Sequence, residues 1–191
     1  MRSSILIFLT LILFSACSFK QEKISINHYG IDFQTKALET KAKFDSIFIE
    51  EPNINRAFNS QAIFYSNKEF QFEEYAQNRW ISFPSNMVYT QIVDSFISSN
   101  IFANVLKDKK IKSQYRLKTE VFKMYQNFED DKSYAVLKIK FDLLKDEKIV
   151  KSFNFNQKTL CDTNDAYGFV KALNSSFEDS LNSLLKDLSI L

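Results

Sequence analysis

The chain has 191 residues, with 25 Lys and Arg set against 23 Asp and Glu for a formal charge of +2. That length suits one globular domain able to bury a real core, and so even a charge balance excludes the broad basic surface that nucleic-acid binding requires. Twenty Phe and eight Tyr stand beside only two Gly and two Pro, a surplus with two readings: codon bias toward Phe, Lys, Asn and Ile, or a lipid-facing aromatic surface.

Taken in chain order, residues 1–4 carry one arginine, and residues 5–14 are apolar apart from Thr10. Ten helical residues cover about 15 Å, half of a bilayer core, so this stretch predicts the core of a signal peptide and not a permanent span. It ends Phe14-Ser15-Ala16-Cys17, which resembles the bacterial lipobox with Phe14 where leucine is usual. An ordinary secretory signal cleaved nearby is the other reading. The lipobox resemblance implies that Cys17 takes a diacylglyceryl group on sulfur and an acyl chain on nitrogen, becomes the new N-terminus and holds the protein on a membrane. Each buried methylene then contributes about 0.8 kcal/mol, and two or three chains make the anchor effectively permanent. Ser18 stands where an aspartate would be the inner-membrane retention signal of lipoproteins, and the resemblance to them implies sorting to the outer membrane. The expected organisation is a lipoprotein signal peptide over 1–17, a short polar tether over 18–23, and a single periplasmic α+β domain over 24–191. With Cys17 acylated, Cys161 has no partner in the chain and reads as a small buried apolar side chain.

Ile24, Ile26 and His28 alternate with polar neighbours up to Tyr29 and predict a first strand. Residues 34–43 are charged and read as loop or a short surface helix. Residues 44–50 are aromatic and β-branched and stop before Pro52, where strand pairing ends, with Asn53 to Asn55 as a turn. Residues 62–65 form the next strand, Asn67-Lys68 its turn, and 70–75 alternate with Phe70 and Phe72 on one face, so the two make a hairpin leading to Trp80. This only tryptophan, flanked by Arg79, Tyr75 and Phe83, hands the chain to a helix at about 84–99. Pro84 is tolerated in its first turn, and Ser82 or Ser85 can cap it. Met87, Val88, Tyr89, Ile92, Val93, Phe96 and Ile97 form a stripe wide enough to face a sheet.

Beyond a short strand at 104–106 lies a basic loop with four lysines in residues 107–112, either solvated or touching anionic headgroups. Residues 115–128 make a full-length strand whose apolar side changes near Val121-Phe122, the mark of a bulge or of burial on both faces. Ala135, Leu137, Ile139, Phe141 and Leu143 alternate with Val136, Lys138, Lys140 and Asp142, and Phe153 and Phe155 repeat the pattern. With short polar turns between them, these three strands predict an antiparallel meander. Asp162, Thr163 or Asn164 can cap a last helix at about 164–188, whose apolar positions 166, 170, 173, 177, 181, 184 and 188 step by three or four. The expected fold class is α+β: an antiparallel or mixed sheet packed by two main amphipathic helices.

Catalysis needs a paired acid and base or an activated nucleophile. His28 is the only histidine and sits on an edge strand. Glu73 and Glu74 point to opposite faces, Glu129-Asp130-Asp131 make a turn, and Asp162 with Asp165 reads as helix capping and lacks the spacing and glycine of a calcium loop. Gly30 and Gly168 are isolated, so no glycine loop cradles phosphate. The expectation is therefore no enzyme, no catalytic residue, no metal and no cofactor beyond the lipid on Cys17. Tyr75, Arg79 and Trp80 are the candidate interaction surface, with packing alone as the competing role for Trp80.

Four segments, Tyr75…Arg79-Trp80…Phe83-Pro84, Ser99-Asn100-Ile101-Phe102-Ala103-Asn104-Val105, Tyr115-Arg116-Leu117-Lys118-Thr119-Glu120-Val121 and the final amphipathic helix, carry a family resemblance. The chain over 24–191 resembles the auxiliary lipoproteins of ABC-type transport systems, the PqiC-type companions of MCE-domain lipid shuttles. Thr119 takes the family's small position, and Lys and Phe replace much of its Ala and Arg. The resemblance implies a non-enzymatic domain on the periplasmic face of the outer membrane, docking on the MCE-domain protein of an ABC lipid transporter, with a ring or other homo-oligomer as its working form. An envelope assembly or structural lipoprotein and a soluble carrier of an apolar ligand are the alternatives.

Overall fold

The computed structural model describes residues 25–35, 37–38 and 41–191; the signal peptide, Cys17 and the polar tether lie outside the described residues. Clean alternation makes β8 (Lys132–Lys145), whose Ala135, Leu137, Ile139, Phe141 and Leu143 are at most 1% exposed. β7 (Tyr115–Glu129) and β9 (Lys148–Leu160) pair antiparallel on its two sides, giving the expected meander. In the β8–β9 turn Asp146 and Glu147 both have positive φ, 50° and 60°, the left-handed pair used by tight primed hairpins.

β7 is the hub of the sheet. Its other edge is shared by three strands, all parallel to it: β2 (Phe44–Ile49) alongside Tyr115 to Leu117, β3 (Asn53–Ile54) at Glu120 and Val121, and β4 (Ala62–Lys68) at Gln126 and Asn127. β6 (Phe102–Leu106) pairs parallel with β2. β5 (Gln71–Trp80) returns antiparallel to β4, and β1 (Asn27–Tyr29) lies parallel to β5 as an edge strand, with the exposed His28 on it. The described residues thus form a nine-stranded mixed sheet. Within β7 the register slips between Val121 and Lys123. Before the slip Leu117, Thr119 and Val121 are buried; after it Met124 and Gln126 are. One inserted residue exchanges the faces, so the change of side is a bulge at Phe122.

Two turns differ from expectation. Asn53 to Asn55 hold a strand, because Asn55 N–H donates to the Val121 carbonyl at 2.9 Å and β7 supplies the pairing that local propensity does not. The β4–β5 turn falls at Glu69-Phe70, since Lys68 pairs with Gln71. Phe70 therefore leaves the strand, with φ 66° and 89% exposure, and does not share a face with Phe72.

α1 (Pro84–Ser99) begins after Phe83, and no side chain of Ser82 or Ser85 caps it. Asn59 does that work from the β3–β4 loop, its Oδ1 accepting the Ser85 N–H at 3.1 Å. Asn100, at φ 55°, closes the helix in the left-handed conformation. Met87, Val88, Ile92, Val93 and Phe96 are buried, whereas Ile97 is 58% exposed at the margin of the stripe. α2 (Ala166–Ser189) is capped by Asp165 in place of Asp162, Thr163 or Asn164: its Oδ1 accepts from the Gly168 N–H and the Thr163 hydroxyl, both at 2.8 Å. Phe169, Leu173, Phe177, Leu181, Leu184 and Leu188 cover β7, β8 and β9. Each such side chain contributes about 1.5 to 3 kcal/mol before ordering entropy is subtracted. Among the described residues no helix is long and apolar enough to cross a membrane.

Candidate functional site

The three side chains expected to form an interaction surface share β5 but diverge from one another. Trp80 is 1% exposed and packs on Phe169 of α2, ring centroids 6.1 Å apart, so its indole is core. Tyr75 donates from its hydroxyl to Gln126 Oε1 at 2.5 Å, and Gln126 Nε2 in turn donates to Ser133 Oγ at 2.8 Å. Gln126 and Ser133 are fully buried, so this thread satisfies polar groups inside the sheet. Burial raises the Tyr75 phenol well above its ordinary value. Arg79 lies partly exposed, donating to the carbonyls of Tyr75 and Asn78 and standing 3.7 Å from Glu74. Cys17 lies outside the described residues.

Asp142, 7% exposed, accepts from Ser152 and pairs with Lys140 at 2.6 Å. Cys161 is free and buried, and burial pushes its thiol up, the opposite of what a nucleophile needs. No group of three or more His, Cys, Asp and Glu side chains gathers among the described residues. The basic loop at 107–112 borders a concavity of about 270 Å³ with Phe48, Tyr115 and Arg116. Its arginine is already held by Glu50 at 3.3 Å and Glu147 at 2.8 Å.

A different concavity stands out by its chemistry. Tyr125 alternates with the inward Met124 and Gln126 and so faces away from the helices. Phe122, displaced by the bulge, is 39% exposed, and Phe72 of β5 is 48% exposed. Phe58 comes from the β3–β4 loop, held there by a tight turn in which Asn55 Oδ1 accepts the Ala57 N–H at 3.1 Å and Asn55 O accepts the Phe58 N–H at 2.8 Å. The Phe58 ring stacks on Tyr125 with centroids 5.9 Å apart and meets Phe64 and Phe72 edge-on at 6.1 and 5.9 Å. With Asn55, Ala57 and Lys123 these rings bound an open groove of about 300 Å³ with no Asp or Glu in its lining. Lys138 holds its Nζ 5.6 Å from the Phe122 centroid, and Lys138 and Lys123 face each other across the β7–β8 ladder. Neither lysine makes an ion pair with a carboxylate among the described residues.

The groove joins residues that sequence reading leaves apart. Its traces there are the Phe surplus and the change of side at Val121-Phe122; nothing local marks Phe58, which belongs to a loop.

No family model matches the sequence, and no curated protein does. Among solved structures, protein XCC0632 from Xanthomonas campestris, described under the family label DUF330, superposes with TM-score 0.75 at 16% identity over 86% of this chain and 95% of that one. An uncharacterized protein gives TM-score 0.70 at 13% identity over 85% and 98%. A looser likeness, TM-score 0.48 at 11% identity over 81% and 93%, runs to a PelC dodecamer from Paraburkholderia phytofirmans. Fold is what such identities establish. The chain shares its fold with XCC0632 and with the uncharacterized protein.

Proposed function

We propose that the protein is an envelope lipoprotein, tethered through acylated Cys17 to the periplasmic face of the outer membrane, and that it serves as the non-catalytic auxiliary component of an ABC-type lipid transport system by docking on an MCE-domain protein. The observation that carries this reading is the Phe14-Ser15-Ala16-Cys17 motif placed ahead of a folded body that opens an aromatic groove to its surface. The role is one of position. An acyl chain exposed to water loses roughly 0.8 kcal/mol per methylene, so cargo crossing an aqueous gap needs a covered route held against the target bilayer. A set of anchored copies around the end of such a route supplies that hold.

The experiment has two arms. Cells making the wild type or Cys17→Ala are fed an alkyne fatty acid, and their envelopes are fractionated; label and outer-membrane fractionation are expected in the wild type and lost in the variant. An unlabelled wild type overturns the lipoprotein reading. In the second arm the labelled protein is crosslinked in cells that carry a tagged MCE-domain protein, and absence of the crosslink overturns the docking reading. The alternative of an apolar-ligand carrier is favoured by one specific feature, the groove itself.

A further inference from the structure

We infer that the aromatic groove holds an acyl chain of a lipid whose headgroup is anionic, with the headgroup against Lys123 and Lys138. Five rings line the groove and two of them, Phe72 and Phe122, remain substantially exposed. Water against these rings is unfavourable, and a flexible hydrocarbon chain fits between ring faces and edges without needing a hydrogen-bond partner. The volume of about 300 Å³ is at the lower end for small-molecule clefts, which suits part of one chain and excludes a whole two-chain lipid.

The charges at the lip choose the headgroup. Lys123 and Lys138 are direct register partners, and like charges placed opposite each other in a ladder destabilise it. The Phe122 ring beneath Lys138 offsets part of that repulsion through its π face. An anion between the two ammonium groups would remove the rest. Of the carboxylates on this face, Glu74, opposite Phe64 in the β4–β5 register, has Arg79 at 3.7 Å, and Glu120 is the register partner of Lys140. The inference deepens the lipid-transport reading and rests on it, naming the class of lipid and the place where it sits.

The test uses the full-length acylated protein, with Phe72 exchanged for a benzophenone amino acid that preserves an aromatic ring. It is reconstituted in phosphatidylcholine vesicles doped with phosphatidylglycerol, irradiated, and its lipid adducts are identified by mass spectrometry. Phosphatidylglycerol adducts should exceed their share of the bilayer by about fivefold, the equivalent of about 1 kcal/mol for one lysine beside anionic lipid. Lys123→Glu should abolish the enrichment, and Phe122→Ser should lower total adduct while leaving the circular-dichroism melt in place. The same photoreactive residue at Ile97, exposed on α1, should give no enrichment. Adducts in proportion to bilayer composition, no adduct at all, or enrichment that survives Lys123→Glu each overturns the inference. A protein that is acylated and crosslinks to an MCE partner yet shows no enrichment refutes the groove assignment alone; one that is not acylated refutes the anchoring first.

Discussion

Replacing Gly168 by alanine should destabilise the fold, although alanine is the better helix former. In an unconstrained helix interior the exchange gains about 1 kcal/mol. At the third position of α2, however, an added Cβ would lie 2.2 Å from the Thr163 carbonyl oxygen, 2.6 Å from Thr163 Oγ1 and 2.9 Å from Thr163 N. Two of these atoms are backbone, so the 161–165 segment must move. The same segment holds the Thr163–Asp165–Gly168 hydrogen bonds that cap the helix. Losing a cap costs about 1 kcal/mol, and forcing atoms into a packed site costs about 1 to 3 kcal/mol, so the net loss should be about 1 to 3 kcal/mol. In a domain of this size about 1 kcal/mol moves Tm by roughly 2 to 4 °C, which puts the expected fall for a loss of about 1 to 3 kcal/mol at roughly 2 to 12 °C in a circular-dichroism melt. Asp165→Ala, which removes the cap without the clash, should fall by less. A Gly168→Ala protein melting at or above the wild type would refute the packing argument.

Two further substitutions probe the buried polar groups. Thr119 Oγ1 is the buried side-chain polar atom without a hydrogen-bond partner among the described residues; Thr119→Val should raise the urea midpoint by the equivalent of about 1 kcal/mol, and a lowered midpoint would show that the hydroxyl is satisfied. At Asp142 burial alone would raise the carboxyl, but hydrogen bonds from Lys140 and Ser152 hold it below its ordinary value of 3.8. Its folded value being the lower one, its contribution to stability is complete above the unfolded value and is lost as pH falls through the range beneath it. The wild type should therefore lose stability more steeply than Asp142→Asn in acid below about pH 4, and parallel acid limbs in chemical denaturation would contradict this.

Elements whose signal is periodic were legible along the chain. The alternation at Ala135 to Leu143 and the three-four step from Ala166 to Leu188 each require one covered face, and each found it. Pairing partners were not legible, because β3 is two residues long and exists only through its hydrogen bonds to β7. Phe70 continued an alternating pattern on paper, yet the Lys68–Gln71 register places it in a left-handed turn. The cap of α1 comes from Asn59, 26 residues before the N–H it accepts, beyond the reach of any local motif. Trp80 is the only tryptophan, and its place against Phe169 shows that a lone large ring is first a means of filling space between sheet and helix. The groove is illegible for the reverse reason: a bulge, a loop and three strands contribute one to three common residues each.

Because β1 runs parallel to β5, the polypeptide arrives at Asn27 from the side of the Phe70 turn. Asn27 pairs with Asn78, seven positions from Gln71, or about 23 Å at strand rise. The ten chain steps from Cys17 to Asn27 reach at most about 36 Å. A lipid on Cys17 would thus set a leash of at most about one and a half times that flank, leaving the Phe70 end of the sheet the nearer one to the bilayer and Lys109, Lys110 and Lys112 at the far pole.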